Sequence, residues 1–415
     1  MENDNPLLVG LDVGTTKVCA LVGETDPVGR LRILGVGIEP AHGMRKGVVV
    51  NVEEASQAIA SAVDKAQHSG GYEIGAAFVS LAGSHIASIN SQGVVGIGGG
   101  SHGIEQDDID RALDAAQAIA IPHGREVLHV IPRGFTVDGQ DGIRQPLGMH
   151  GFRLEVEAHI ITAATTSVQN LTKCVEAAGV QVEAYVLNPL AAAEVTLTDT
   201  EKEMGVVVCD VGGGTTDLAI YIDGNVWHTM VLAVGGNHLT SDIAHGLRLP
   251  ADVAEKVKIE YGHAGADEVA STDSFNVQPF GEDRPVQIAR LDLATIIEAR
   301  VEEMFGLVLQ EIKRTGYDGL LPAGLVITGG TSLLPGLRKV ASDVLHLPCR
   351  VAAPQNLLGL VDKLAGPAYS TSVGLLHWAQ RESLLAPRSK KRKPGSRVLT
   401  MDLNRGIDLL KRLLP

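Results

Sequence analysis

Two short phrases of this 415-residue chain carry the residue types that grip phosphate: DVGTTK at 12–17 and DVGGGTTD at 210–217. In each, an apolar run ends in an aspartate, turns through glycine and threonine, and returns as a second apolar run. An aspartate at a strand end can hold Mg2+ through the ion's waters, because Mg2+ dehydrates reluctantly. Glycines let backbone N–H groups close round a phosphate as an anion nest. Lys17 can bring a positive charge to the β- or γ-phosphate, and Asp217 cannot. The copies are therefore expected to be unequal jaws on one Mg-triphosphate, the first supplying the cation and the second the larger glycine loop.

Three further segments fit a nucleotide. Gly235, Gly236 and Asn237 precede a helical stretch, an arrangement suited to an anion or a ribose. Glu255 and Lys258 stand three apart and share a helix face. LVITGG ends an apolar run in the pair Gly329–Gly330, where a base can lie against backbone.

The elements that must position these residues follow from periodicity. Strands are predicted at 7–14, 18–24, 31–39 and 76–83, with a helix capped by Asn51 between the last two. A stretch of different texture, 84–162, reads as a small inserted α+β module. The main pattern resumes with a helix at 165–178, a strand at 182–187 and a helix opening at Pro189. Strands at 206–212, 217–222 and 226–234 precede helices near 237–246 and 250–261. An unpatterned stretch at 263–285, a long helix at 292–314, a strand at 324–330 and helices at 333–345 and 369–381 complete the body.

Net charge is −14, yet the segment from Pro387 onward carries nine basic residues against two acidic ones, leaving the body near −21. An acidic body argues against a nucleic-acid groove, so nucleic acid is not an expected partner. In the tail, Leu403, Ile407, Leu410 and Leu414 fall within about 60° of one another at helical spacing, widened by Leu409 and Leu413. Such a helix is too short to span a bilayer and would lie in its interface, with Lys390–Lys393 attracting anionic lipid. No basic-then-apolar leader opens the chain, and the four cysteines have no CxxC spacing, so a cytoplasmic body with reduced thiols is expected.

Together, the phosphate motifs, VLNPLAAAEVTL (186–197), the GGN segment and ITGG resemble the ATPase superfamily of actin, heat-shock chaperones and sugar kinases. Within it the chain resembles the FtsA family of bacterial cell-division proteins, through VSLAGSHIASINSQG (79–93), HLTSDIAHGLRLPADVAEKVKIEYG (238–262) and the tail. The resemblance implies an α/β, actin-like fold of two duplicated lobes. Lobe I would comprise 1–83, 163–195 and 357–384, with an SHS2-type insert at 84–162. Lobe II would comprise 196–236 and 315–356, with a small subdomain at 237–314, followed by a basic linker at 385–399 and a membrane helix at 400–415.

It also implies roles. Asp12 and Asp210 would hold Mg2+ through waters; Gly14, Thr15, Thr16, Lys17, Gly212, Gly213, Gly214, Thr215 and Thr216 would hold the phosphates of ATP. Gly235, Gly236, Asn237, Glu255, Lys258, Gly329 and Gly330 would line ribose and adenine. Some relatives place a glutamate where this chain has Asn188, which cannot act as a base; Glu194 is the alternative, or a surface carboxylate. Tight ATP binding with slow hydrolysis is therefore expected. Expected partners are the C-terminal peptide of the tubulin-like protein FtsZ, with Arg300 as its carboxylate contact or a solvated charge, further copies of the chain in a filament, anionic lipids and other division proteins. The place implied is the cytoplasmic face of the inner membrane at the septum. A small-molecule kinase and a pilus-assembly-type adaptor are the alternatives on the same fold.

Overall fold

A computed structural model describes residues 7–98, 103–118, 121–355 and 357–385. The expected membrane helix, with Leu403, Ile407, Leu410, Leu413 and Leu414, lies outside the described residues.

The chain opens with antiparallel strands β1 (Leu8–Val13), β2 (Lys17–Thr25) and β3 (Leu31–Pro40), then a small hairpin of β4 (Met44–Arg45) and β5 (Val48–Val49). Helix α1 (Val52–Gly70) is capped as the sequence predicts: the Asn51 side chain accepts from the N–H groups of Glu53 and Glu54. Strand β6 (Ala76–Leu81) leads to β7 (Ala87–Gly96), α2 (Gln106–Gln117), β8 (Arg125–Val137), β9 (Gln140–Ile143) and β10 (Arg153–Ala164). Next come α3 (Thr165–Ala177), β11 (Gln181–Leu187), α4 (Asn188–Thr196) and α5 (Asp199–Met204). The second half holds β12 (Val206–Val211), β13 (Thr216–Ile222), β14 (Asn225–Leu232), α6 (Gly236–Gly246) and α7 (Ala251–Tyr261). It closes with β15 (Ser274–Val277), β16 (Val286–Ala289), α8 (Arg290–Thr315), β17 (Gly324–Thr328), α9 (Leu337–Leu345), β18 (Cys349–Val351), β19 (Leu358–Gly359) and α10 (Ser370–Leu385).

The duplication is explicit in the sheets. One runs β11-β6-β1-β2-β3-β19, the other β14-β13-β12-β17-β18. In each, the strand ending in the key aspartate pairs antiparallel with its successor and parallel with a later strand, β1 with β6 and β12 with β17. Both strands are buried along their whole length, as expected of apolar runs covered on two faces.

Three local readings are corrected. The stretch 263–285 is not featureless: β15 pairs with β16 as a hairpin. The helix expected from Leu333 begins only at Leu337, because Pro335 and Gly336, the latter at φ 81°, break it after a 3-10 turn at Gly330–Leu333. Helix α5, announced by a Thr198/Glu201 capping box, went unread. All four cysteines are free, and Cys19, Cys174 and Cys209 are buried.

The inserted sheet, β7-β10-β8-β9, has its own core around Leu113, Phe135, Leu154 and Ile160. It also grips β14. Arg133 stacks 4.4 Å from the Trp227 ring and donates to the Tyr317 hydroxyl, and His159 bonds Asn90 and Thr229. Burial holds His159 neutral, its pKa lowered to about 3, with the charges of His228, Arg133 and His129 adding to the effect. The unfolded chain takes up this proton near 6.5. Stability from His159 is therefore full above about pH 6.5 and falls as pH drops toward about 3, by on the order of 1 kcal/mol per pH unit. Urea titrations are expected to show lower stability at about pH 5.5 than at pH 7, and His159→Gln to shrink that difference; an unchanged difference removes the assignment.

Candidate functional site

The two phosphate turns share one geometry. Gly14 N donates to Lys17 O at 3.0 Å, and Gly212 N donates to Thr215 O at 2.9 Å. Asp12 pairs in register with Cys19, and Asp210 with Asp217. The turns therefore match residue for residue, and the second is richer in glycine but no larger. Lys17 corresponds to Thr215, and Asp217 to the buried Cys19. Asp217 does not stand in for the lysine: it is 1% exposed and accepts from the Thr215 hydroxyl.

The turns face each other. A Cβ on Gly213 would overlap the Thr16 hydroxyl, and one on Gly214 would sit 2.5 Å from the Thr15 hydroxyl. Only glycine permits this approach. Behind the turns lie the two aspartates, 6% and 7% exposed. Asp12 accepts from Ser80 Oγ at 2.9 Å and from Ser372 Oγ at 2.7 Å. Asp210 accepts from Thr371 Oγ1 at 2.6 Å. Burial pushes the Asp210 pKa up to about 6; the Thr371 hydrogen bond opposes this, the charge of Asp12 adds to it, and Lys17 opposes it. Asp12 and Asp210 thus feel each other's charge, and consecutive residues of one helix hold both. A divalent cation between them would relieve that repulsion. Lys17 Nζ donates to Ala368 O and lies 4.8 Å from the centre of the Tyr369 ring.

The remaining wall is only partly as expected. Glu255 and Lys258 form an ion pair at 2.7 Å, and Lys258 also donates to Gly236 O and Thr240 Oγ1. Thr331 donates to Gly212 O and lies against Gly236, which brings Lys258, Gly236 and the Gly330 turn together. However, the N–H groups of Gly236 and Asn237 already donate to Gly212 O and Gly213 O. They buttress the second phosphate turn and are not open anion donors. Gly329, at φ 86°, lies against the Asp210 carboxylate and Val211, so its lack of a side chain serves the aspartate first.

Asn188 opens α4 at the end of β11, which runs parallel with β6 beside β1, on the sheet edge where Ser80 and Asp12 also lie. Its Oδ1 is buried with no protein partner. It is an acceptor aimed into the structure that a water can satisfy. Of the two readings of Glu194, an ion-paired carboxylate is what the structure holds: it pairs with Arg381 at 2.7 Å, and although burial raises its pKa, the charges of Arg381, Lys202 and His377 outweigh that and hold it below the usual range. Arg381 lies nine residues past Ser372 on α10, about 13 Å along the helix. Arg300, on α8, is not a free charge: its guanidinium binds Asp242 at 2.5 and 3.0 Å and Glu303 at 2.6 Å. Ser80, Thr371 and Ser372 were missed by sequence reasoning, having no motif of their own.

Two lobes built on repeated sheets, with paired phosphate turns between them, define the actin-like ATPase fold. Solved structures agree: the PilM-PilN type IV pilus biogenesis complex matches with a TM-score of 0.65 at 16% identity, covering 90% of this chain and 98% of that one. MreB5 of Spiroplasma citri bound to ADP matches at 0.52 and 15% identity, covering 90% and 95%. The model for cell division protein FtsA matches residues 207–374, and that for the SHS2 domain inserted in FtsA matches 83–162. The FtsA protein of Pseudomonas aeruginosa is 44% identical over 91% of this chain and 90% of its own, and that of Escherichia coli 37% over 92% of each. The chain belongs to the FtsA family of cell division proteins.

Proposed function

We propose that this protein binds Mg·ATP between its lobes, tethers FtsZ filaments to the cytoplasmic membrane at the division site and assembles with its own copies. The observation that carries the nucleotide reading is the meeting of Thr15 and Thr16 with Gly213 and Gly214 above Asp12 and Asp210. Two buried carboxylates suit a hydrated Mg2+ better than a directly ligated soft metal. When bound, the ion would neutralise phosphate charge. Asp12 and Asp210 would hold that ion through its waters, and Lys17 and the turns would contact the phosphates. Asn188 can accept a hydrogen bond from water through its unpartnered Oδ1 but cannot take the water's proton, and Glu194 is tied to Arg381. Slow hydrolysis follows, and a kinase acting on a hydroxyl substrate lacks its base among these two candidates.

The subdomain boundaries expected from the sequence form part of this proposal. So does docking of the FtsZ peptide near Arg300, where a peptide carboxylate would compete with Asp242 for the guanidinium. Membrane attachment rests on the spacing of Leu403, Ile407, Leu410, Leu413 and Leu414.

Sedimentation with anionic liposomes, with and without ATP and the FtsZ tail peptide, tests the whole reading. The chain is expected to pellet with the vesicles and to carry the peptide with it. Charged residues in the buried face of a short interfacial helix cost several kcal/mol. Ile407→Glu with Leu410→Glu is therefore expected to leave about a tenth or less of the protein in the pellet. Undiminished pelleting by this variant removes the membrane claim.

A further inference from the structure

Ser370, Thr371 and Ser372 open α10 with three buried hydroxyls, 1%, 5% and 1% exposed. Hydroxyls at a helix start ordinarily cap their own helix. These reach elsewhere: Ser370 meets Thr328 of β17 at 2.7 Å, Thr371 donates to Asp210 of β12, and Ser372 donates to Asp12 of β1. Consecutive helix residues project about 100° apart, so one rigid turn sends a hydroxyl to each sheet. The helix itself packs on β1, β2 and α4, and Gly374 lets it close onto Ala191. The first turn of α10 is thus the solid piece on which both aspartates are mounted.

We propose that Thr371 and Ser372 are a positioning pair that fixes the orientation and separation of the Asp210 and Asp12 carboxylates for Mg2+. This rests on the Mg·ATP reading above. Thr371 donates to one oxygen of Asp210, and Ser372 and Ser80 donate to one oxygen each of Asp12; the remaining lone pairs of each carboxylate can accept from the ion's waters. The two arms are unequal. Asp12 keeps Ser80 if Ser372 is lost, whereas Thr371 is the one side-chain donor to Asp210 among the described residues. Removing groups that orient metal ligands costs about 10–100-fold in metal affinity.

The test uses the full chain and ATP, titrated once in excess Mg2+ and once in EDTA, and reads the ratio of the two affinities. Thr371→Ala is expected to shrink the ratio by about tenfold, with the EDTA affinity moving less than about twofold. Thr371→Ser, which restores the hydroxyl, is expected to recover it. Ser372→Ala is the second arm, with a shrinkage of about threefold, and it decides the matter if Thr371→Ala does not fold. Equal losses in Mg2+ and EDTA would show a structural role and overturn the proposal, as would an unchanged ratio. A wild-type chain with no Mg2+-dependent gain overturns the Mg·ATP reading and the positioning pair with it. A normal wild-type gain with unchanged variants overturns the pair alone.

Discussion

Gly214→Val is expected to lower ATP affinity by about a hundredfold or more while leaving the far-ultraviolet circular dichroism unchanged. The reason is geometric. A Cβ at position 214 would stand 2.5 Å from the Thr15 hydroxyl, 2.9 Å from its methyl and 3.0 Å from its Cβ. Valine adds two further carbons. Thr15 is not free to swing aside, because its hydroxyl accepts the Gly47 N–H at 3.2 Å. Neither backbone can yield cheaply, since the Gly14–Lys17 and Gly212–Thr215 bonds close both turns. The remaining relief is to part the jaws, which withdraws one turn from the phosphates while each sheet stays folded. Hydrogen bonds to a charged group contribute about 1.5–3 kcal/mol each, so the loss of two accounts for the hundredfold. Calorimetric titration of ATP in Mg2+ reads the result directly. An affinity within about threefold of wild type would show that the turns do not act on one ligand.

The parts of this site that announced themselves in the sequence are those built from a local phrase. An apolar run, an aspartate and a glycine turn specify β1 with its return strand, and the same phrase specifies β12 with its own. Their apposition was legible because there were two. Register was not: comparing DVGTTK with DVGGGTTD by eye sets Lys17 against Asp217. The turn-closing bonds, Gly14 N to Lys17 O and Gly212 N to Thr215 O, instead make Thr215 the counterpart of Lys17, and Asp217 stands beside Asp210 on the neighbouring strand. The hydroxyls of α10 were illegible for a different reason. Ser372 acts on a residue 360 positions away and Thr371 on one 161 away. Nothing in YSTSVGLL distinguishes such hydroxyls from ordinary caps. Glu194 and Arg300 show the same limit from the other side. Each was read as an available charge because its partner, Arg381 or Asp242, lies on another element. The short strands β18 and β19 had no periodicity to read, being only three and two residues long.

The crossing of α4 and α10 yields a prediction whose sign depends on position. Gly374→Ala is expected to destabilise the protein by about 3 kcal/mol or more, although alanine is the better helix former. A Cβ there would overlap the Ala191 carbonyl oxygen, with its carbonyl carbon next in line. These are backbone atoms of α4, so no rotamer change relieves the clash, and the helices must separate. Their separation would strip cover from Leu190, Val373 and Leu376, each no more than 1% exposed. It would also draw the first turn of α10 off Asp12 and Asp210, so ATP affinity is expected to fall with stability. Gly306→Ala is the control. Gly306 lies within α8, and nothing comes within 4 Å of the place its Cβ would take. There the helix preference acts alone, and a gain of about 0.5–1 kcal/mol is expected. Urea titration of the two variants side by side separates the causes. If both glycines tolerate alanine equally, the close approach to α4 does not hold α10 in place, and the mounting of both aspartates on one helix loses its anchor.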